Sequence, residues 1–149
     1  MSPDGLSRAG TWGSRFVDLS HEMADGMAPY PGLPTADVEG AAVLIRTGWD
    51  SRWGTDAYWE PGPYLSDGFA HRLADSRVAL LGVDFSNVDD HTTRRRPVHT
   101  CLLGAGILIV EHLCNLGELP QGGFRFIAPV VRVRQGASFP VRAFAELKG

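Results

Sequence analysis

Short apolar runs, separated by polar stretches rich in glycine and proline, predict a series of strands along this chain. Residues 16–20 alternate apolar and polar side chains, as a half-buried strand does. Continuous apolar runs at residues 41–45, 78–84 and 107–111 are short enough to be strands buried on both faces. Further strands are predicted over residues 124–133, with a disturbance at Pro129, and over residues 139–147.

Helical spacing is found between these strands. Ser66 is a predicted N-cap, and the apolar residues after it recur at helical intervals, which predicts a helix over residues 67–77. A short helix is predicted over residues 99–105, and a single helical turn over residues 113–119. Five or six strands with two or three short helices in this order predict a mixed α/β fold, with helices alongside a mixed sheet.

Length and composition fit one globular domain. The chain has 149 residues, and we expect a flexible polar tail over residues 1–15 and a single domain over residues 16–149. A net charge of -3 gives no reason to expect a nucleic-acid partner. No apolar run approaches the length of a membrane span, and residues 1–14 lack the apolar centre of a signal peptide, so we expect a cytoplasmic protein without a membrane partner.

Two groups of residues have more than one interpretation. Cys101 and Cys114 lie among apolar residues, so buried free thiols in a reducing compartment are favoured, and a disulfide stays open. Residues 94–96 are three consecutive arginines in a turn-rich stretch. A solvated loop is the favoured interpretation of this triplet, ahead of a phosphate or carboxylate clamp.

Candidate chemistry begins at the ends of the apolar strands. Asp84 and Glu111 each follow such a strand, where open sheets usually build their sites, although a cap or a salt bridge to a nearby arginine is an equal alternative for each of them. His99 and Glu111 lie on consecutive elements, where their side chains can converge. Imidazole and carboxylate together suit zinc or manganese, although a single histidine is more often structural.

The other histidines carry weaker expectations. His21 follows a strand, His71 is expected on the exposed side of its helix, and His91 lies in a polar loop. His112 follows Glu111 directly, so within a strand it would point to the opposite face. The sequence contains no GxSxG, Walker or GxGxxG motif, so nucleophile-elbow and phosphate-cradle chemistry have no support.

Five segments, in order, resemble the cyclase family of metal-dependent hydrolases, whose members include bacterial kynurenine formamidases. They read FVDLSH with YPG at residues 16–21 and 30–32, LIRTGW at 44–49, GVD with NVD at 82–84 and 87–89, PVH through IVEHL at 97–113, and FPVRA at 139–143. The resemblance implies a swivelling β/β/α fold, a zinc or manganese ion, and hydrolysis of N-formylkynurenine or a related amide. It also implies that His99 and Glu111 are metal ligands and catalytic residues.

One family motif is absent from this sequence. The family has an HxGTHxDxPxH segment between YPG and LIRTGW that supplies two histidines and an aspartate as ligands, whereas here Pro34 is followed by residues 35–40 and then the strand. The resemblance therefore implies an internal truncation near residues 34–40. Two remaining ligands would bind metal weakly.

Three hypotheses follow from this departure. The chain is a residual hydrolase, completed by another chain or by groups such as His21; or a non-catalytic pseudoenzyme or binding subunit; or a truncated product without a role. Uncovered strand edges would favour a homo-oligomer or association with a full-length homologue. Trp49 and Trp53 are candidate substrate-binding residues that would line an aromatic pocket, with ordinary packing over the sheet as the favoured alternative.

Overall fold

A computed structural model describes residues 14–18, 38–131, 133, 134, 136 and 138–148. His21 and the predicted tail up to residue 13 lie outside this range. The described elements are β1 (Ser14–Asp18), β2 (Ala42–Ile45), α1 (Asp67–Asp75), β3 (Leu80–Val83), α2 (Pro97–Gly104), β4 (Leu108–Val110), β5 (Phe124–Ile127) and β6 (Phe144–Lys148). Three short 3-10 turns lie at Trp49–Arg52, Asp56–Tyr58 and Leu116–Glu118.

The three central apolar runs form a parallel sheet in the order β2-β3-β4. Ala42 pairs with Leu80, and Leu80 pairs with Leu108. Parallel neighbours need a crossover between them, and α1 and α2 fill that role. This confirms the three predicted strands, each shortened by one or more residues at its ends.

Both helices are found close to their predicted positions. The Ser66 hydroxyl accepts a hydrogen bond from the Phe69 N–H at 3.3 Å, so Ser66 is the N-cap of α1. The helix stops at Asp75 because Arg77 adopts a left-handed conformation, with φ of 50°. Helix α2 begins two residues earlier than predicted because Pro97 is suited to the first helical position. In the described part of the chain, no helix is long and apolar enough to cross a membrane.

The first and last segments form a separate antiparallel sheet in the order β1-β6-β5. The strand predicted at residues 16–20 is found two residues earlier, as β1. The strand predicted at residues 139–147 begins only at Phe144, as β6. The predicted strand over 124–133 was too long, since β5 ends at Ile127, before Pro129. Val130 and Val131 beyond it are exposed.

Two clusters of buried side chains lie on opposite faces of the parallel sheet. On one face, Val43 and Leu81 pack with Phe69 and Leu102 from the helices. On the other face, the core contains residues of the antiparallel sheet and of the segment after β4, with Leu44 and Val110 packed against it. The layers are therefore sheet, sheet and helices, which confirms the predicted α/β class and the β/β/α order of layers. The prediction of one mixed sheet was wrong, because the parallel and the antiparallel strands form separate sheets.

Because Gly82 in β3 has no side chain, residues of the buried cluster beside the antiparallel sheet pack closely against this strand. A Cβ atom at this position would lie 2.5 Å from Leu44 Cδ2 and 2.7 Å from Leu113 Cδ1. We expect Gly82→Ala to lower the free energy of unfolding by about 1–3 kcal/mol, because both neighbours must shift. Urea denaturation measures this change.

Gly68 in α1 provides the matched control. A Cβ atom there has no heavy atom within 4 Å, and the residue is helical. Gly68→Ala is therefore expected to raise stability by about 0.5–1 kcal/mol. Equal effects at the two glycines would show that the contacts around Gly82 are not tight.

Candidate active site

The candidate site lies at the carboxyl edge of the parallel sheet. Strands β2, β3 and β4 run in the same direction, so the residues that follow them meet at one edge. Thr47 and Gly48 follow β2, Asp84 follows β3 and Glu111 follows β4. The parallel arrangement of the strands therefore brings Asp84 and Glu111, the two carboxylates singled out in the sequence, to the same edge of the sheet.

His99 and Glu111 converge at this edge. His99 lies in the first turn of α2, and its Nε2 is 3.7 Å from Glu111 Oε1. The two side chains are 27% and 22% exposed, so solvent reaches both. The predicted proximity of this pair is observed, while its catalytic and metal-binding roles stay predictions.

Asp89 fixes the other side of the His99 ring. Its buried carboxylate lies 2.7 Å from His99 Nδ1 and accepts backbone N–H bonds from Val98 and His99 at 2.7 Å and 3.1 Å. One carboxylate therefore caps α2 and holds the imidazole with Nε2 facing Glu111. From the sequence, Asp89 was predicted only to belong to a motif. The available signal was the absence of a capping side chain at Arg96, the N-cap position of α2.

Glu111 lies in surroundings that favour its neutral form. Burial raises the pKa of its carboxyl above the ordinary 4.5, and the hydrogen bond from the Val88 N–H and the nearby His99 ring act in the opposite direction. The Val88 N–H donates to Glu111 Oε1 at 2.8 Å. Glu111 therefore retains its proton to a higher pH than an exposed glutamate, which suits a group that gives and accepts protons.

Asp84 acts as a cap between two loops. Its carboxylate accepts hydrogen bonds from the Thr47 N–H, the Thr47 hydroxyl and the Gly48 N–H, at 2.7–2.9 Å. Burial raises the pKa of Asp84, opposed by these same donors. Of the two alternatives left open for Asp84, the geometry favours the cap.

Aromatic residues form one wall beside the carboxylates. The hydroxyl of buried Tyr58 lies 2.9 Å from His112 Nδ1, and the Trp53 ring meets the Tyr58 and His112 rings edge-on at 4.8 Å and 5.8 Å. Burial raises the pKa of Tyr58, and so do nearby carboxylates including Glu111, so Tyr58 remains a neutral phenol hydrogen-bonded to His112. Tyr58 was not predicted as a site residue.

His112 lies outside the strand for which its direction was predicted. Strand β4 ends at Val110, and His112 has φ of 62°, so strand alternation no longer applies at this position. The turn directs the ring towards Tyr58. His71 and His91 do not join this group: His71 lies on the exposed face of α1, as predicted, and contacts Cys101, and His91 stays in the loop before α2.

Trp49 and Trp53 are both partly buried, and they pack against the buried cluster between the parallel sheet and the helices. The Trp49 Nε1–H donates to the Tyr58 carbonyl oxygen at 3.3 Å, and the Arg52 guanidinium stacks 3.9 Å above the Trp49 ring. These contacts agree with the packing alternative for Trp49. Substrate binding by either tryptophan stays a prediction.

Comparison with known proteins shows which family this chain resembles. Residues 33–90 match the model of the Cyclase family, described as “Putative cyclase”. The kynurenine formamidase of Salinibacter ruber is 38% identical over 73 residues, which cover 49% of this chain and 34% of that protein. The kynurenine formamidase of Geobacillus thermodenitrificans is 33% identical over 132 residues, which cover 87% of this chain and 60% of that protein. The chain is related to the cyclase family.

The fold of this chain is also similar to that of a solved structure. Isatin hydrolase A from Ralstonia solanacearum is 28% identical and superimposes with a TM-score of 0.64, over 75% of this chain and 47% of that chain. The chain thus spans between about a third and three fifths of the length of the curated relatives named above. The resemblance stated from the sequence motifs is confirmed.

The donor atoms of His99 and Glu111 suit two positions of a metal site. Ligand atoms on a tetrahedral zinc ion lie roughly 3.3 Å apart, and His99 Nε2 and Glu111 Oε1 are 3.7 Å apart. The Asp89 contact to Nδ1 is the outer-shell partner that metal-binding histidines usually have. Within the described ranges, however, no group of three or more histidine, cysteine, aspartate or glutamate side chains is placed to hold an ion.

Proposed function

We propose that this cyclase relative is part of a metal-dependent amide hydrolase of the arylformamidase type, acting on N-formylkynurenine or a related amide. The observation that carries the proposal is the distance of 3.7 Å between His99 Nε2 and Glu111 Oε1, with His99 Nδ1 held by a buried carboxylate. Its similarity to two kynurenine formamidases supports the substrate class.

His99 and Glu111 would hold zinc or manganese, which supplies Lewis-acid polarisation of a carbonyl group when bound. Because Asp89 accepts the Nδ1 proton, the lone pair of His99 Nε2 is directed towards Glu111. Glu111 has one oxygen fixed by the Val88 N–H, which holds the carboxylate in place to bind the ion or to move a proton at a leaving amine. Trp53 would exclude water beside the site and contact an aromatic substrate.

The remaining metal ligands must come from elsewhere. In this proposal they come from residues 19–37, which include His21, or from a second chain, either a copy of this one or a full-length relative. An internal truncation near residues 34–40 belongs to the same proposal, because it accounts for the absence of the HxGTHxD segment. A site with so few ligands would bind metal weakly and hydrolyse slowly.

Glu111→Gln tests the proposal directly. The amide keeps the size of the side chain but removes its charge, so we expect zinc and manganese affinity to fall about tenfold or more. Isothermal titration with each metal measures binding, and loss of N-formylkynurenine absorbance measures hydrolysis. Glu60→Gln changes an exposed glutamate and should alter neither. Equal metal binding and equal hydrolysis in the wild type and Glu111→Gln would refute the proposed roles.

A non-catalytic binding subunit is the second candidate function. It is favoured by the presence of only two suitable ligands in the described part of the chain. In that case the wild type shows no hydrolysis alone with either metal, yet elutes together with a full-length kynurenine formamidase in size-exclusion chromatography. Elution as a solitary monomer, with or without that partner, would exclude this candidate.

A further inference from the structure

A shallow depression lies on the surface between α1 and α2, apart from the site at the sheet edge. It is lined by His71, Arg95, Arg96, Pro97, Thr100 and Cys101. The Cys101 side chain is partly exposed there, whereas Cys114 is 4% exposed. The expectation that both thiols are buried was therefore wrong for Cys101, because its position on α2 faces the gap beside α1 rather than the sheet.

Cys101 does not stand alone in this depression. Its Sγ lies 3.5 Å from His71 Nδ1, within hydrogen-bonding distance for sulfur. The imidazole is on the exposed face of α1, so it can exchange protons with solvent. A thiol that donates to an imidazole nitrogen has a proton acceptor in place when the sulfur attacks an electrophile.

The depression is cationic, although the whole chain has a net charge of -3. Among the residues that the structure describes, Arg95 and Arg96 line it and no carboxylate does. The Arg96 guanidinium donates to the carbonyl oxygens of Thr93 and Arg95, at 3.4 Å and 3.1 Å, which holds its charge near the rim. A reactant with carboxylate groups would therefore be attracted to the entrance of the depression.

We propose that Cys101 is a modification site that undergoes thiol–disulfide exchange with small anionic disulfides. Sγ attacks one sulfur of the disulfide as His71 Nδ1 accepts the thiol proton. A new bond joins Cys101 Sγ to that sulfur, the original sulfur–sulfur bond breaks, and the second half leaves and takes up a proton as a free thiol. Arg95 and Arg96 bind the carboxylates of the incoming disulfide. No oxidant other than that disulfide is needed.

Oxidised glutathione and cystamine, an anionic and a cationic disulfide, are the two probes. The full-length folded protein is incubated with each probe, and peptide mapping by mass spectrometry follows adducts at Cys101 and Cys114 over time. We expect Cys101 to react first and faster with oxidised glutathione, and Cys114 to react only in denaturant. Equal rates at the two cysteines in the folded protein, or a faster reaction with cystamine, would overturn the proposal.

Two variants separate the parts of the depression. His71→Ala should slow the reaction of Cys101 with both probes by about tenfold or more, because the proton acceptor is removed. Arg95→Ala should lower the preference for oxidised glutathione over cystamine, whereas Arg94→Ala, an exposed arginine outside the lining, should leave it unchanged. Unchanged rates in His71→Ala, or equal losses of preference in the two arginine variants, would count against the assigned roles.

Discussion

Asp89→Ala is expected to lower the free energy of unfolding by about 3–5 kcal/mol. The Asp89 carboxylate is buried, and it accepts the backbone N–H groups of Val98 and His99 as well as the contact from His99 Nδ1. Alanine would leave those first-turn N–H groups without an acceptor and would free the imidazole ring. Urea denaturation followed by circular dichroism measures the loss.

Asp89→Asn separates the capping role of Asp89 from its effect on the imidazole. The amide oxygen can still accept from the Val98 N–H, but the amide N–H₂ group then faces His99. If it donates to Nδ1, the ring proton moves to Nε2 and points towards Glu111, so we expect zinc affinity to fall about 10–100-fold.

Asp90→Asn is the matched control for this variant. The Asp90 carboxylate is adjacent in sequence but accepts hydrogen bonds from the N–H and hydroxyl of Thr92, in an exposed turn. It should have little effect on stability or on zinc binding. Zinc affinity in Asp89→Asn equal to that of the wild type would show that Asp89 is a cap and does not orient His99.

The sheet that carries the site could be predicted because its strands are local features of the sequence. Residues 41–45 and 107–111 form apolar runs preceded by glycine, and such runs fit a strand covered on both faces. The possible convergence of His99 and Glu111 followed from placing the histidine on a short helix and the glutamate at the end of the next strand. The spacing predicted that the two side chains could meet, but not their distance.

The rest of the site depends on contacts that have no local signature. Asp89 lies in a loop that looks polar and solvated, yet tertiary packing buries it under the first turn of α2. Tyr58 belongs to an irregular aromatic stretch, and only the fold brings its hydroxyl to a histidine 54 positions away. The left-handed conformation of His112 is not one that its residue type predicts, and it takes the residue out of strand alternation.

Asp84→Ala is expected to lower the free energy of unfolding by about 3 kcal/mol or more. Three donors from the loop after β2 converge on this buried carboxylate: the Thr47 N–H, the Thr47 hydroxyl and the Gly48 N–H. Gly48 has φ of 80°, so the loop adopts a conformation that these bonds hold in place. Without Asp84, two backbone N–H groups at the sheet edge lose their acceptor. Chemical denaturation of the variant measures the cost.

The pH dependence of this difference has a definite sign. Because the pKa of Asp84 is raised in the folded protein, its contribution to stability is complete below the ordinary value of 3.8 and declines as the pH rises through the folded-state pKa. The stability difference between the wild type and Asp84→Ala should therefore be larger in acid than at neutral pH. A difference that grows with pH would show that the hydrogen bonds outweigh the cost of burying the charge.

A double-mutant cycle with Thr47→Val tests how Asp84 stabilises the loop. The valine keeps the shape of threonine but removes the hydroxyl that donates to Asp84 at 2.7 Å, so we expect a coupling energy of about 1.5–3 kcal/mol. Thr55→Val is the control, since the Thr55 hydroxyl makes an equally short bond of 2.7 Å to the Arg52 carbonyl oxygen, but on the exposed surface. Coupling of Asp84 to Thr55 as strong as its coupling to Thr47 would mean that Asp84 acts through global stability rather than through this cap.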